Sequence, residues 1–469
     1  MINIKDIVAN DLCIGCGACA TQNNQIKIEA NNKGQLVANL DALSRDESES
    51  ISDVCPWSNK SDNEDTISKK LFSSNNIHDH KIGYYSKIFR GFVNDKNIRL
   101  KSSSGGIIRW LLMKLKEENY IDGIIQVKAY ERKSKDNENK KLYSYEVFNN
   151  IEDISKASRS SYYPVEFSQV IKEIKEDNKT YAITGVPCFI KAIRLLQKKD
   201  PVIESKIKFT ISLICGHLKS TFYADFLSKQ LNIQPENISS IDFREKLENA
   251  KANEKGLKIK EVSGDIQKIK VKELFGSDYN LGFFQYKACD FCDDIIGETA
   301  DISVGDAWLP ECIDEPLGES IVVVRDPQLK KLIEESVNKK LITCTELKPD
   351  RVVESQSGGY RQRREGLIVR LNNEINEDTP IKHLSKRVDL SLINKISKKR
   401  INIYNKRVEL RIKSSEFYNA HKNEKSPKNI ISKLSPIVDE YYSLYKESLI
   451  IRALKKTERE LRKIYVKYS

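Results

Sequence analysis

Apolar and polar positions change period several times along the chain. SKIFRGFVN (86–94) and IDGIIQVKAY (121–130) read as strands. GGIIRWLLMKLKEEN (105–119) spaces Ile, Trp and Leu as one face of a helix, and FSQVIKEIKED (167–177) and FIKAIRLLQKK (189–199) follow the same spacing. TYAITGVP (180–187) and KFTISLICG (208–216) are short apolar runs bounded by turn residues, the pattern of strands buried on both faces. Strand and helix alternate, which predicts an α/β (α+β) core with a covered sheet. Residues 236–275 read as hairpins and meanders, GESIVVVRD (318–326) as strand-like, and PQLKKLIEESVNKK (327–340) as a helix closing this body. Residues 1 to about 60 are turn-rich, and SNKSDNEDTISKK (58–70) reads as a polar linker. Three units are expected: a small unit with its linker over 1–70, the α/β body over 82–345, and a helical extension over 370–469.

Composition narrows the class. The chain has 469 residues, 39% hydrophobic and 31% charged, enough for two or three domains with a full core. No apolar run reaches the roughly 18 residues that a membrane span needs. The opening MINIKDIVANDLC lacks the charged and apolar regions of a secretory leader, so a cytoplasmic protein is expected. The net charge is +12, and the excess is local: residues 381–469 carry 23 basic and 9 acidic side chains. Such a tail suits an acidic protein partner, nucleic acid or anionic lipid; the plainer reading is a solvated helical appendage. Its basic residues are interspersed with apolar ones, as in VDEYYSLYKESLIIRALKK, which suits amphipathic helices docked on a body better than a free arm. No helix-turn-helix or RNA-binding signature accompanies it.

The ten cysteines carry the chemistry. In a reducing compartment, clustered cysteines point to metal or redox work rather than disulfides. Cys13, Cys16 and Cys19 follow a C-x-x-C-x-x-C spacing with glycines at 15 and 17, and Cys55-Pro56 offers a remote fourth thiolate. That spacing predicts a 4Fe-4S site, since a zinc ribbon would show two paired knuckles instead. Cys188 in TGVPC and Cys215 in ICGH each follow an expected buried strand, and Cys289 and Cys292 form CDFC. Ligands gather beyond strand ends in α/β sheets, so these four could converge. From spacing alone, a second cluster, zinc, a redox dithiol and structural cysteines all stay open. The five histidines include no H-x-x-x-H pair, which argues against a His-rich metal site.

Other loops suggest a cofactor. Ser102, Ser103, Ser104, Gly105 and Gly106 precede the helix that starts near Ile107, where serine caps and free N–H groups would bind a phosphate, or simply cap a helix. SRSSYY (158–163) is a polar, aromatic loop, and GDAW (305–308) follows the strand-like DISV. Neither a G-x-G-x-x-G nor a Walker-A sequence occurs.

In their order, CIGCGAC, Cys55-Pro56, SSSGG, the SSYY loop, TGVPC, ICGH, DFREK, CDFC and DISVGDAW resemble the beta-subunit family of coenzyme F-420 (deazaflavin) hydrogenases and dehydrogenases. That family includes 7-hydroxymethyl chlorophyll a reductase-like iron–sulfur flavoproteins. The resemblance spans residues 13–308 and implies FAD on an α/β body, with a ferredoxin-like iron–sulfur unit before it. It implies a body 4Fe-4S cluster on Cys188, Cys215, Cys289 and Cys292. It implies flavin-side contacts from Ser102 to Gly106, Tyr162, and Thr184, Gly185, Val186 and Pro187, with Arg244 and Lys246 on the flavin or substrate side. Many relatives carry two ferredoxin-like cysteine sets, whereas this chain has one. Residues after about 370 are not covered, and Cys312 and Cys344 match nothing. The implied activity is an oxidoreductase linking a one-electron carrier such as ferredoxin to a two-electron small-molecule substrate through two 4Fe-4S clusters and FAD. The rivals are an electron-transfer subunit docked on a larger enzyme, with the basic tail as its dock, and a zinc-bound interaction protein.

Overall fold

The computed structural model describes residues 3–74, 76–133, 141–248, 250–374 and 387–446. Its centre is an eight-stranded sheet. The order is Ile342–Glu346, Lys87–Val93, Ser320–Val324, Ile302–Asp306, Ile207–Leu213, Tyr181–Gly185, Gly123–Ala129 and Tyr143–Phe148. The four strands from Ile302–Asp306 to Gly123–Ala129 run parallel to one another, and the flanking strands are antiparallel. The mixed α/β class read from the sequence is thus what the chain adopts.

The apolar runs are continuous because both faces of the sheet are covered. Ile183 and Ile125 pack with Ile171, Ile190 and Ile193 on one side. Their strand neighbours Ala182 and Ile124 face Leu111, Leu115 and Leu332 on the other. Helix Ile107–Glu117 therefore covers one face, while Ser168–Lys175 and Pro187–Lys199 cover the opposite one. A separate antiparallel sheet, Ile238–Lys246, Lys255–Glu261 and Ile266–Lys270, fills the region read as hairpins.

Two local expectations change. The stretch read as a linker contains the helix Glu64–Phe72, capped by the Asn63 side chain on Thr66 N. Glu64 and Asp65 open this helix and Lys69 and Lys70 close it, matching its dipole, while Ile67 and Phe72 are buried. Polarity alone hid a capped helix with only two apolar anchors. The serines before Ile107 are not its cap either: Gly106 is, at φ +88°, a left-handed conformation that glycine adopts without strain.

The C-terminal segment packs inward. Helix Lys398–His421 packs against Lys428–Ser443. From the pair, Leu410, Tyr418, Leu434 and Tyr441 join the core around Phe222, Phe226 and Phe284. The docking expected of its amphipathic pattern is realised, although 447–456 of the quoted stretch lies outside the described residues. Among the described residues no helix is long and apolar enough to cross a membrane.

Candidate redox site

Strand ends create the site. Tyr181–Gly185 and Ile207–Leu213 are parallel neighbours, with Gly185 opposite Ser212. Cys188 follows the first in the opening turn of helix Pro187–Lys199, and Cys215 follows the second. Cys215 N donates to Ile295 O at 3.1 Å, which ties this strand end to the segment after Cys292. Leu218 N donates to Cys289 Sγ at 3.2 Å. The four thiols are electrostatic neighbours: Cys215, Cys292 and Cys289 all act on Cys188. Burial pushes the Cys292 thiol up to about 12, against the pull of the Arg363 guanidinium.

The N-terminal cysteines form a second group. Cys16, Cys13 and Cys55 all act on Cys19, whose thiol burial raises well above its ordinary range. Ala38 N donates to Cys13 Sγ at 3.4 Å. Gly17, at φ +91°, lets the loop lie against Ser168. Phe167 N donates to Cys16 O at 3.0 Å, so the loop is fastened to the start of helix Ser168–Lys175. Cys16 in turn acts on Cys188, which makes the two groups neighbours. Tyr286 stands near both Cys13 and Cys289 and accepts from Leu36 N at 2.8 Å. Among the described residues no group of three or more His, Cys, Asp or Glu side chains is set to hold a metal ion.

Beside the body cysteines lies a cavity of about 1090 Å³. Of the residues singled out in the sequence, Ser102, Ser103, Ser104, Gly106, Tyr162, Thr184, Gly185, Val186 and Arg244 line it, and so does Cys215. Gly105, Pro187 and Lys246 are not in its lining. Gly105 is packed on backbone, since an added Cβ would stand 2.6 Å from Gly91 O. Lys246 Nζ donates to the carbonyls of Arg99, Ser104 and Leu317. Burial, then Lys255 and the nearby arginines, brings its ammonium down to about 7.

The serines organise the wall. Ser104 Oγ donates to Glu319 O at 2.6 Å, and Ser103 Oγ accepts from Ser160 N at 2.9 Å. The helix behind them has no side-chain cap. Arg244 grips Asp306 with two contacts of 2.8 Å. Burial disfavours the Asp306 carboxylate, but the guanidinium overrides it and holds the carboxyl below its usual range. Trp308 of the same GDAW turn lines the cavity.

Several wall residues were not singled out in the sequence. His217 stacks on Tyr279 with ring centroids 3.8 Å apart. Burial, then Lys219, keeps this imidazole neutral. Arg407 Nη2 lies 3.4 Å from Nδ1, which makes Nδ1 the acceptor and leaves the proton on Nε2. His217 Nε2 and Arg244 Nε are buried and have no hydrogen-bond partner among the described residues. Arg159 of the SRSSYY loop adds positive charge to the lining, while burial brings the Lys255 ammonium down to about 8 and that of Lys219 well below its ordinary range. ICGH named His217 within a landmark, but Tyr279 and Arg407 reach it from distant segments without any local signal.

Comparison with known proteins adds to this geometry. Residues 88–172 match the N-terminal model of the family described as coenzyme F420 hydrogenase/dehydrogenase, beta subunit, and residues 178–350 match the model of that family's C terminus. A coenzyme F420-dependent sulfite reductase from Methanocaldococcus jannaschii is 25% identical over 337 residues, which cover 69% of this chain and 45% of that protein. The chain therefore aligns with less than half of that relative. A coenzyme F420 hydrogenase subunit beta from Methanothermobacter thermautotrophicus is 23% identical over 269 residues, 55% of this chain and 84% of that protein. A chain in the solved F420-reducing NiFe hydrogenase complex from Methanosarcina barkeri aligns at 20% identity with a TM-score of 0.47, covering 66% of this chain and 98% of that one.

Proposed function

The chain belongs to the coenzyme F420 hydrogenase/dehydrogenase beta-subunit family, and from that premise we propose an iron–sulfur flavoprotein oxidoreductase. It passes electrons between a one-electron carrier such as ferredoxin and a two-electron small-molecule substrate. The observation that carries this reading is Cys215, which belongs both to the body cysteine group and to the cavity wall.

The residues suit the cofactors this requires. A cubane takes each thiolate on a different iron, so its ligands surround a volume rather than a point. Two groups of four thiols, each with a backbone N–H aimed at a sulfur, suit two 4Fe-4S clusters. Cys13, Cys16, Cys19 and Cys55 would hold one in a ferredoxin-like unit over residues 1–70, and Cys188, Cys215, Cys289 and Cys292 the other. The body over 82–345 would hold FAD, and 370–469 would be an extension packed on it. The cavity is large enough for a dinucleotide, and His217 and Arg244 of its lining each carry a buried donor, Nε2 and Nε, with no partner among the described residues.

When bound, the clusters would carry single electrons and the flavin would exchange one or two. The chain's own residues provide the setting. Ser102–Ser104, the uncapped helix start at Gly106 and Arg159 form a polar, cationic end suited to a diphosphate. Tyr162, Tyr279 and Trp308 provide flat apolar surface, and His217 presents an N–H held in one tautomer by Arg407.

Anaerobic purification tests the assignment, with about eight irons and one FAD per chain expected from two 4Fe-4S clusters. Absence of saturable FAD binding by the anaerobic protein removes the two-electron centre and overturns the reading. The second reading is an electron-transfer subunit, favoured by the name of one relative as a hydrogenase subunit. Steady-state reduction of a candidate substrate by the purified chain with a reduced carrier separates the two.

A further inference from the structure

Beyond residue 350, where the family match ends, the chain returns to the loop that carries Cys289 and Cys292. Four arginines from this later part press on that loop. Arg370 Nε donates to Asp290 O at 2.7 Å, and Arg411 pairs with the Asp290 carboxylate at 2.6 Å. Arg387 pairs with Asp293 at 3.0 Å and with Glu298. The fourth, Arg363, differs in that its guanidinium reaches sulfur. Nη1 donates to Cys292 Sγ and to Asp294 O, and Nη2 donates to Gly216 O and stands 4.0 Å from Cys215 Sγ.

Arg363 is only 3% exposed. Two backbone carbonyls, from the strand end after Cys215 and the loop after Cys292, fix its place independently of the thiols. Arg387 and Arg411 pair with the carboxylates of Asp293, Glu298 and Asp290, and Arg370 donates to the carbonyls of Asp290 and Gln362, whereas Arg363 donates to carbonyls and to sulfur. Its charge acts on Cys292, Cys215 and Cys289 first, and after them on the buried Asp294. A fixed cation and hydrogen bonds to sulfur stabilise the more negative, reduced state of a cluster and raise its potential. Backbone amides serve the N-terminal thiols, Ala38 N to Cys13 Sγ among them, as Leu218 N serves Cys289 in the body group; the Arg363 cation comes in addition to such an amide.

Resting on the two-cluster reading, we propose that Arg363 is a positioning residue that holds the body cluster at a higher potential than the N-terminal cluster and so directs electrons toward the cavity. The transfer it biases is one electron from the N-terminal group to the body group, with no bond or proton exchanged. The electron enters from a low-potential one-electron carrier of the ferredoxin class.

The test is an anaerobic redox titration of the full chain followed by EPR, with iron analysis, for wild type, Arg363→Gln and Arg363→Lys. In wild type the body cluster has the higher midpoint. In Arg363→Gln eight irons remain, the body midpoint falls and the N-terminal midpoint stays fixed; Arg363→Lys recovers part of the shift. An unchanged body midpoint in Arg363→Gln, or a wild-type body midpoint at or below the N-terminal one, overturns the proposal. Should Arg363→Gln lose four irons, Arg363→Lys decides. Eight irons with a lowered body midpoint supports the role. Four irons, or eight at the wild-type midpoint, overturns it. A wild-type chain with four irons or fewer defeats the two-cluster reading itself, a result distinguishable before any variant is made.

Discussion

Arg244 and Asp306 meet as a two-point ion pair in the cavity wall, joining the edge of the small antiparallel sheet to the end of a central strand. Asp306→Asn leaves a buried guanidinium uncompensated, and a loss of about 3–5 kcal/mol is expected. Because Arg244 holds this carboxyl below its ordinary value, the stabilisation is present above about pH 4 and is lost as pH falls through the depressed native value. Urea denaturation should show the wild-type advantage shrinking progressively below about pH 4. A gap that is small at pH 7, or that widens in acid, would contradict the pairing.

Replacing Cys16 by Ala removes one thiolate from the N-terminal group. About four irons per chain should be lost by the cluster stoichiometry, with the body group retaining its own. Iron and sulfide analysis of the anaerobic protein checks this, and unchanged content sinks the assignment.

Gly17→Ala should injure the same site without touching a thiol. The new Cβ would stand 2.6 Å from Glu166 Oε2 and 3.0 Å from Ser168 N, at a positive φ that an L side chain resists. The expected result is a weakened N-terminal cluster and a lower unfolding temperature. A variant with wild-type iron and stability would show that the loop does not need this close approach.

Tyr418→Ala tests whether the C-terminal helices are part of the core. The ring is 2% exposed and lies 4.5 Å from Phe222 between centroids, with Phe226 and Phe284 around it. By analogy with other large aromatic truncations the loss should be about 3–5 kcal/mol. Chemical denaturation with a shift below about 1 kcal/mol would mark the helix as loosely attached.

The sheet was legible because its central strands are buried on both faces and so stand out as apolar runs: Tyr181–Gly185 is buried throughout. Cys188 and Cys215 were legible as strand-end residues, because strand ends can be counted from those runs. Their convergence with Cys289 stayed one open alternative from spacing, since it depends on Leu218 meeting a segment some seventy residues later. The tail was legible in its docking, through its interspersed apolar residues, but not in the fate of its arginines. Arginine signals solvent exposure in composition, yet Arg407 of the tail is only 7% exposed, and Arg363 and Arg370, which come before residue 381, are buried as well. Their partners are backbone carbonyls and side chains of distant loops, which no local period encodes. Part of the charge that suggested an external acidic partner is turned toward the chain's own acidic loop.

The hydrogen bond from Phe167 N to Cys16 O has a kinetic consequence. It anchors the first thiol group to helix Ser168–Lys175, whose Val170 and Ile171 share a core with Phe189 and Ile190 of the helix that carries Cys188, and Tyr286 provides another suture through Leu36. The spacing between the two groups is therefore a property of the folded core, unlike that in proteins whose redox modules swing on tethers. Lengthening the 58–63 segment with inserted glycines should leave the internal transfer rate unchanged. Solvent viscosity should likewise slow only the encounter with an external donor.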